Sequence, residues 1–212
     1  MTTTLSPTNE HPHMSHQPEP FHVLRSVMDM LVSPTEDEWA VFREAFRERR
    51  IDRNQVYLHA GDVAGSVGFV ASGLFRIVYT VDGDERTKDF QHEGQFTGSL
   101  ASLLIGAPAR FSVVAMEPSV LLEIKRERLF DLSDRFPVWD RMRRNYAEQL
   151  FLYKEAREAS LLLDSPEERY LQFIRERPDL LQRVPLRHIA SYLGITPEAL
   201  SRIRRRTLHR DP

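Results

Sequence analysis

Residues 186–203 read LRHIASYLGITPEALSRI, and this stretch decides the fold of the C-terminal end. Its apolar positions are spaced so that two short helices would share one core: Ile189, Leu193, Ile195, Leu200 and Ile203. Gly194 lies where the first helix must stop with a positive φ, while Thr196 can cap the second helix and Pro197 suits its first turn. The spacing predicts a helix-turn-helix, and an ordinary helical hairpin is the alternative.

The second helix of this motif predicts a surface that reads DNA. Glu198, Ser201 and Arg202 would share the N-terminal face, which enters the major groove in such motifs. Arg202 can donate a bidentate pair to guanine, Ser201 can serve several bases, and Glu198 can accept from cytosine. Glu198 has an alternative role, because a glutamate in the first turn also stabilises the helix dipole. Five side chains are predicted to bind phosphates: Arg187, Thr196, Arg204, Arg205 and Arg206.

Charge is unevenly distributed along the 212 residues, whose formal net charge is −2. Residues 183–212 carry seven arginines and two acids, a balance of +5, so the other 182 residues carry −7. A basic end on an acidic body indicates a nucleic-acid-binding module joined to a regulatory one. A solvated charged face is the alternative reading of the same run.

The chain has no cysteine, which excludes disulfides, thiolate zinc sites, iron–sulfur clusters and a cysteine nucleophile. This fits a reducing compartment, and we expect a cytoplasmic protein. No apolar run approaches the roughly 18 to 20 residues of a membrane helix, and the N-terminus lacks the apolar core of a secretory signal. Residues 1–20 hold four prolines without amphipathic periodicity, which predicts a disordered tail.

Residues 21–125 predict helices followed by many strands. Helical periodicity extends over residues 21–50, with a second helix opened by Ser33 as cap, Pro34 at its first position and Glu36 completing a capping box. Eight of the nine glycines then lie between residues 61 and 106, a composition typical of a small barrel or jelly roll. Alternation and turn signals predict strands at 55–59, 67–72, 75–81, 86–90, 111–116 and 119–124.

Pro137 opens a long helix that is predicted to reach Leu163. A heptad seam follows steps of three and four residues through Trp139, Met142, Tyr146, Gln149, Tyr153, Ala156, Ser160 and Leu163. Its length favours pairing with a second copy of the chain, and packing on its own domain is the alternative. The predicted divisions are a tail (1–20), a sensor domain (21–135), a dimerisation helix (136–163) and a DNA-binding domain (164–212).

A glycine-rich barrel, a long helix and a C-terminal helix-turn-helix together resemble the Crp/Fnr family of bacterial transcription regulators over roughly residues 25–210. Thr196–Arg202 is similar to the Glu-x-x-Ser-Arg recognition pattern of the Fnr branch, whose half-sites contain TTGA or a close variant. Gly61-Asp62, Val70–Gly73 and Gly94–Gly98 look like the barrel turns of the family.

The resemblance implies an α+β fold with an N-terminal β jelly roll of the cyclic-nucleotide-binding type, a long dimerisation helix and a C-terminal winged-helix-type helix-turn-helix. It further implies a homodimer that binds double-stranded DNA at an inverted repeat and contacts RNA polymerase.

In the family's nucleotide-binding members, a Gly-Glu pair and a later Arg-Ser/Thr-Ala sequence hold the ligand. Gly98 matches the glycine, but Ser99 stands at the glutamate position. A gapless alignment places Ala109 at the arginine position and Arg110 one residue late, which on a strand is the opposite face. A one-residue bulge would return Arg110 to the pocket. Without such a bulge, no cation offsets the burial of a phosphate, which argues against binding of cyclic AMP. The candidate pocket residues are Gly98, Ser99 and Arg110.

Two other classes of function are open. A cyclic-nucleotide-responsive switch could act through protein partners, although the helix-turn-helix argues against it. A metal enzyme on a jelly roll would need histidines clustered with a carboxylate on the strands, whereas the one His-x-His pattern, His11 and His13, lies in the predicted tail. With no serine-histidine-acid set and no phosphate loop, we expect no enzyme and assign no catalytic residue, metal or cofactor.

Overall fold

The computed structural model describes residues 19–208 and opens with helices α1 (Pro20–Leu31) and α2 (Glu36–Glu44). The prediction of a disordered tail lies outside the described residues, apart from the last two positions of that segment. Helix α1 is amphipathic and buries Leu24 and Met28 completely. These two side chains join the core on which the first sheet packs.

The cap of α2 differs from the prediction. Thr35 is the N-cap: its hydroxyl accepts from the Glu38 N–H at 3.3 Å, and the Glu38 carboxylate accepts from the Thr35 N–H at 2.8 Å. Ser33 instead has a φ of 49° and donates its hydroxyl to the Asp29 carbonyl. Two overlapping Ser/Thr-x-x-Glu spacings are present, and the second wins because an N-cap residue needs extended backbone.

Residues 46–51 form strand β1 (Phe46–Ile51), so the prediction of helix up to residue 50 is wrong there. β1 is an edge strand that pairs with β8 (Ser119–Lys125). Phe46 and Ile51 are buried, while the four charged residues between them are exposed. Because this strand lacks apolar alternation, its composition could not be distinguished from the end of a polar helix.

Two antiparallel four-stranded sheets form a jelly roll, which confirms the predicted fold class. The first sheet has the order β1, β8, β3 (Ser66–Ser72) and β6 (Phe96–Thr97). The second has the order β2 (Val56–Leu58), β7 (Ser112–Ala115), β4 (Leu74–Val81) and β5 (Asp84–His92). Buried side chains from both sheets fill the interior: Ile51, Val70, Phe75, Ile77, Phe111, Val113, Ala115 and Leu121. Gly73 turns the chain between β3 and β4 with a φ of 104°, where a Cβ would overlap Ser119.

Three further helices join α1 and α2 beside the first sheet: α3 (Leu100–Ile105), α4 (Arg126–Arg135) and α5 (Pro137–Leu163). Helix α5 begins and ends at the predicted residues. The Trp139 indole is completely buried and stacks on Phe42 of α2, with ring centroids 3.9 Å apart. The N-terminal part of α5 is thereby anchored to the core beside the first sheet.

The predicted heptad seam is buried at some positions and exposed at others. Trp139 and Met142 are buried in the sensor core, Tyr146 packs against it, and Ser160 is also buried. Two seam residues, Ala156 and Leu163, are exposed, and together with Leu152 and Ala159 they form an exposed stripe with steps of four, three and four. Steps of three and four recur on neighbouring helix faces, so periodicity alone does not say which face the chain covers itself.

The C-terminal part consists of four helices over residues 166–208: α6 (Pro166–Glu176), α7 (Leu180–Arg183), α8 (Leu186–Leu193) and α9 (Pro197–Leu208). Ser165 and Glu168 form a capping box at the start of α6. The helices share a core with Leu74 of β4 and Phe90 of β5. The helix-turn-helix therefore packs directly on the outer face of the second sheet.

Candidate nucleic-acid interface and ligand site

The helix-turn-helix is built as the sequence predicts. Helix α8 ends at Gly194, whose left-handed φ is 70°, and α9 begins at Pro197. The Thr196 hydroxyl accepts from the Ala199 N–H at 3.2 Å and caps α9. Ala190 is completely buried in the core that α8 and α9 share. One side of α9 is held by this core, and the other faces solvent.

Glu198, Ser201 and Arg202 lie together on the exposed face of α9. Positions i, i+3 and i+4 share one face of a helix, so the structure brings the three predicted base-reading side chains together. A hydrogen bond at its own backbone N–H, and another with Thr196, lower the pKa of the fully exposed Glu198. The carboxylate thus also serves the N-terminus of α9. Arg202 forms no salt bridge within residues 19–208, which leaves its guanidinium available.

The predicted phosphate-binding residues differ in how available they are. Arg187 and Arg205 are exposed, and Arg204 is half-buried. The Arg206 guanidinium donates to Glu167 of α6 at 3.2 Å, so in this conformation it is held against the body of the domain. Thr196, the fifth candidate and the cap of α9, is exposed.

Arg183 contributes to the C-terminal charge excess but faces the roll. Its two terminal nitrogens each lie 2.9 Å from an oxygen of Glu93, and one lies 2.5 Å from Glu117. Burial alone would raise the pKa of Glu93, but hydrogen bonds from Arg183 and from the Gly73 N–H hold it below its ordinary value. This arginine therefore fixes the C-terminal helices to the roll rather than meeting DNA.

A second link joins β5, α5 and the end of α6. Arg177 donates to Asp89 at 2.9 Å and to the Tyr153 hydroxyl at 2.8 Å, and that hydroxyl donates to the other oxygen of Asp89 at 2.9 Å. Burial, and then the charge of Asp89, raise the pKa of Tyr153. The predicted seam residue Tyr153 is thus an internal contact between domains.

A third link lies between β4 and α8. Arg76 is only 6% exposed, pairs with Glu85, and donates to His188 Nδ1 at 2.5 Å. Burial, and then the neighbouring Arg76, lower the pKa of His188 to about 4, so the ring is neutral near pH 7. Next to this pair, the Thr87 N–H donates to Ser191 at 2.8 Å. In the sequence, the sign of this link is Arg76, a charged residue within the apolar run of β4.

Arg169 ties the long helix to the helix-turn-helix. It is 8% exposed and donates to the Leu193 carbonyl at 3.0 Å and to the Asp164 carbonyl at 2.6 Å. These carbonyls end α8 and α5 respectively. One buried guanidinium therefore spans the junction between α5 and α6.

The candidate ligand-pocket residues differ in conformation and exposure. Gly98 has a φ of 126°, and the Ser99 hydroxyl accepts from the Ser102 N–H at 3.3 Å as the cap of α3. Ala109 and Phe111 are buried, while Arg110 between them is exposed. No bulge turns Arg110 inward, so no arginine replaces the missing one in the roll.

Residues 19–208 contain no group of three or more His, Asp or Glu side chains placed to hold a metal ion. His11 and His13 lie outside the described residues. Within the same part of the chain, no helix has the length and apolar character needed to cross a membrane.

Residues 48–136 match the family model for the cyclic nucleotide-binding domain. This segment is a cyclic nucleotide-binding domain. It runs from β1 to the residue before α5 and contains both sheets, α3 and α4. A search of curated proteins found no match to the chain.

Solved structures extend the comparison to most of the chain. The Catabolite Activator Protein of Thermus thermophilus is 26% identical, with a TM-score of 0.53 over 86% of this chain and 87% of that one. FixK2 of Bradyrhizobium japonicum is 20% identical, with a TM-score of 0.66 over 76% and 83%. CLP of Xanthomonas campestris, a c-di-GMP-responsive global regulator, is 22% identical, with a TM-score of 0.65 over 82% and 92%. These neighbours are Crp/Fnr-family regulators, and this chain has their fold.

The cyclic nucleotide-binding domain of this chain lacks the polar groups expected at the phosphate of such a ligand. The glutamate position holds the helix-capping Ser99, and the arginine position holds the buried Ala109. An unpaired phosphate in an apolar interior is strongly unfavourable. The two positions that the resemblance assigns to anion contacts therefore hold a helix cap and a buried methyl group.

Proposed function

We propose that this protein is a homodimeric, sequence-specific DNA-binding transcription regulator of the Crp/Fnr type and not an enzyme. The observation that carries the proposal is the exposed set Glu198, Ser201 and Arg202 on a helix whose opposite face is buried in a helix-turn-helix core. An exposed arginine that forms no salt bridge among the described residues, at the N-terminal part of such a helix, suits the bidentate contact with guanine. Arg187 and Arg205 flank this face as contacts for phosphates.

Helix α5 supports the dimer. Its 27 residues span about 40 Å at 1.5 Å per residue, and only its first part is needed to cover the sensor domain. The exposed stripe of Leu152, Ala156, Ala159 and Leu163 would pair with the same stripe of a second copy. Leu152 and Leu163 are 61% and 81% exposed, and the two alanines between them allow close approach.

Two copies joined along α5 would present their α9 helices roughly 34 Å apart, one turn of DNA, and read an inverted repeat with TTGA-type half-sites. The division into sensor domain (21–135), dimerisation helix (136–163) and DNA-binding domain (164–212) belongs to this proposal. So do the cytoplasmic location and contact with RNA polymerase.

The test is fluorescence anisotropy of the ligand-free protein on a TTGA inverted repeat, a single half-site and a scrambled duplex, over a salt series. We expect the inverted repeat to bind most tightly, and the preference over scrambled DNA to persist as salt weakens all binding. Cyclic AMP should change none of the affinities, because the domain lacks the phosphate contacts. Equal binding to all three duplexes would refute the proposal and favour the switch that acts through protein partners.

A further inference from the structure

An apolar groove of about 360 Å³ opens beside the first sheet, between α3, α4 and the N-terminal half of α5. Most of its lining is apolar and buried, including Phe46 of β1, Ile124 of β8 and Leu129 of α4. Leu104 of α3, which is 43% exposed, and the exposed Ala147 of α5 lie at its edge. A volume of this size and a lining of this character are typical of sites for small molecules.

Positive charge is concentrated at one edge of the groove. Arg143 of α5 lines it, with its guanidinium carbon 4.3 Å from the centroid of the Phe130 ring. The guanidinium carbon of Arg126 lies 4.8 Å from the same centroid, and neither arginine forms a salt bridge within residues 19–208. The acid that lines the groove, Asp140, already accepts from Arg144 at 3.1 Å. Two guanidinium groups beside one ring are thus left without a carboxylate partner from the described part of the chain.

Both guanidinium groups are held in position before any ligand binds. Arg126 donates Nε to the Leu103 carbonyl at 2.7 Å, and its two terminal nitrogens have no hydrogen-bond partner among residues 19–208. Contact with the Phe130 ring restricts Arg143 in the same way. Groups that are already fixed lose little conformational entropy on binding, and the planar guanidinium matches the two oxygens of a carboxylate.

We propose that this groove binds an aliphatic carboxylate of medium chain length, whose alkyl chain lies on the buried lining and whose carboxylate meets Arg143 and Arg126. An apolar groove with cations at one edge complements a molecule that has one apolar tail and one anionic end. The three candidate nucleotide-pocket residues do not line this groove, which lies on the side of the first sheet and not of the second. The inference goes beyond the proposed function and does not rest on DNA binding.

The test is calorimetric titration of the full-length protein with octanoate, decanoate and dodecanoate. While the groove still accepts the chain, each added methylene should tighten binding about fourfold, the gain from burying one such group. The matched probes without negative charge, 1-decanol and decyltrimethylammonium, should bind at least about tenfold more weakly than decanoate, because they form no charge-assisted hydrogen bond with the arginines. Cyclic AMP should not displace decanoate.

Variants separate the two parts of the site. Arg143→Gln keeps a polar side chain and should weaken decanoate about tenfold, the loss of one charge-assisted hydrogen bond, while leaving 1-decanol unchanged. Ala147→Phe adds a ring at the edge of the groove from an exposed position and should weaken both ligands. Arg141→Gln is the matched control, since this exposed arginine of α5 does not line the groove. Circular dichroism and thermal melting establish that each variant is folded.

Two results would overturn the proposal: equal affinity for 1-decanol and decanoate, or unchanged affinity for decanoate in both Arg143→Gln and Ala147→Phe. Two others would assign the groove to a different occupant. Loss of the dimer in Ala147→Phe without binding of any carboxylate would assign it to a second copy of the chain. Binding to phosphatidylglycerol vesicles without binding of free decanoate would assign it to a membrane surface. The DNA-binding test is run on ligand-free protein, so its failure is distinguishable from the absence of carboxylate binding.

Discussion

Replacing Arg202 by alanine tests the assignment of the DNA-reading face most directly. Arg202 is exposed on α9 and forms no salt bridge within the described residues, so its removal leaves the folded protein almost unchanged. One bidentate contact with guanine contributes about 1–3 kcal/mol of discrimination. A dimer on an inverted repeat makes this contact twice, so the expected loss is about 2–6 kcal/mol, or roughly 30-fold to 10⁴-fold.

The assay is anisotropy on matched duplexes that differ at one base pair of each half-site. The Arg202→Ala protein should lose its preference at a single guanine position and bind the substituted duplex as tightly as the original. Arg205→Ala is the control, since it should weaken all duplexes alike and reduce the salt slope by about one unit per protomer. If Arg202→Ala weakened specific and scrambled DNA equally, its side chain would be a phosphate contact, and the predicted reading face would be wrong.

Three further predictions concern the dimer and the contacts between domains. Leu152→Glu should convert the dimer to monomer in sedimentation velocity, whereas Phe151→Glu, beside the stripe, should have a smaller effect; unchanged mass for Leu152→Glu would exclude this stripe. Arg169→Ala removes two charge-assisted hydrogen bonds to helix ends and should cost about 3 kcal/mol, or about 6 °C or more in melting temperature. The pKa of His188 falls from 6.5 to about 4 on folding, so the unfolded chain binds the additional proton in that window and stability decreases as pH falls through it. Thermal melts of His188→Asn should show a shallower decrease, and an identical pH profile would contradict the buried neutral ring.

The sequence predicts helix starts, ends and caps correctly where the residues that decide them are close neighbours in the chain. Pro137 begins α5, Gly194 ends α8 and Thr196 caps α9, because each depends on the backbone of its immediate neighbours. The same rules were ambiguous at Ser33 and Thr35, where two valid caps overlap. At that position Thr35, and not Ser33, has the extended backbone that an N-cap residue needs.

Tertiary contacts decided the rest, since they depend on what lies across the fold. β1 is a strand because β8 supplies its hydrogen bonds, not because of its own apolar pattern. Helix α5 has several faces with heptad spacing, and only packing against Phe42 shows which one the sensor domain covers. Arg183 contributes positive charge to the C-terminal end of the sequence, but in the structure it forms salt bridges with Glu93 and Glu117 of the roll.

The sequence by itself determined the helix-turn-helix, the glycine-rich roll, the length of the long helix and the absence of cysteine chemistry, because each is set by residue type and short-range spacing. Only the tertiary structure decided the exposed face of α5, the exposure of Arg110 and the pairing of Arg183 with Glu93. Arg183 and Glu93 are 90 positions apart in the chain, and the packing of the C-terminal helices on the roll brings them together. Such encounters arise from strand register and helix packing, which no local pattern encodes.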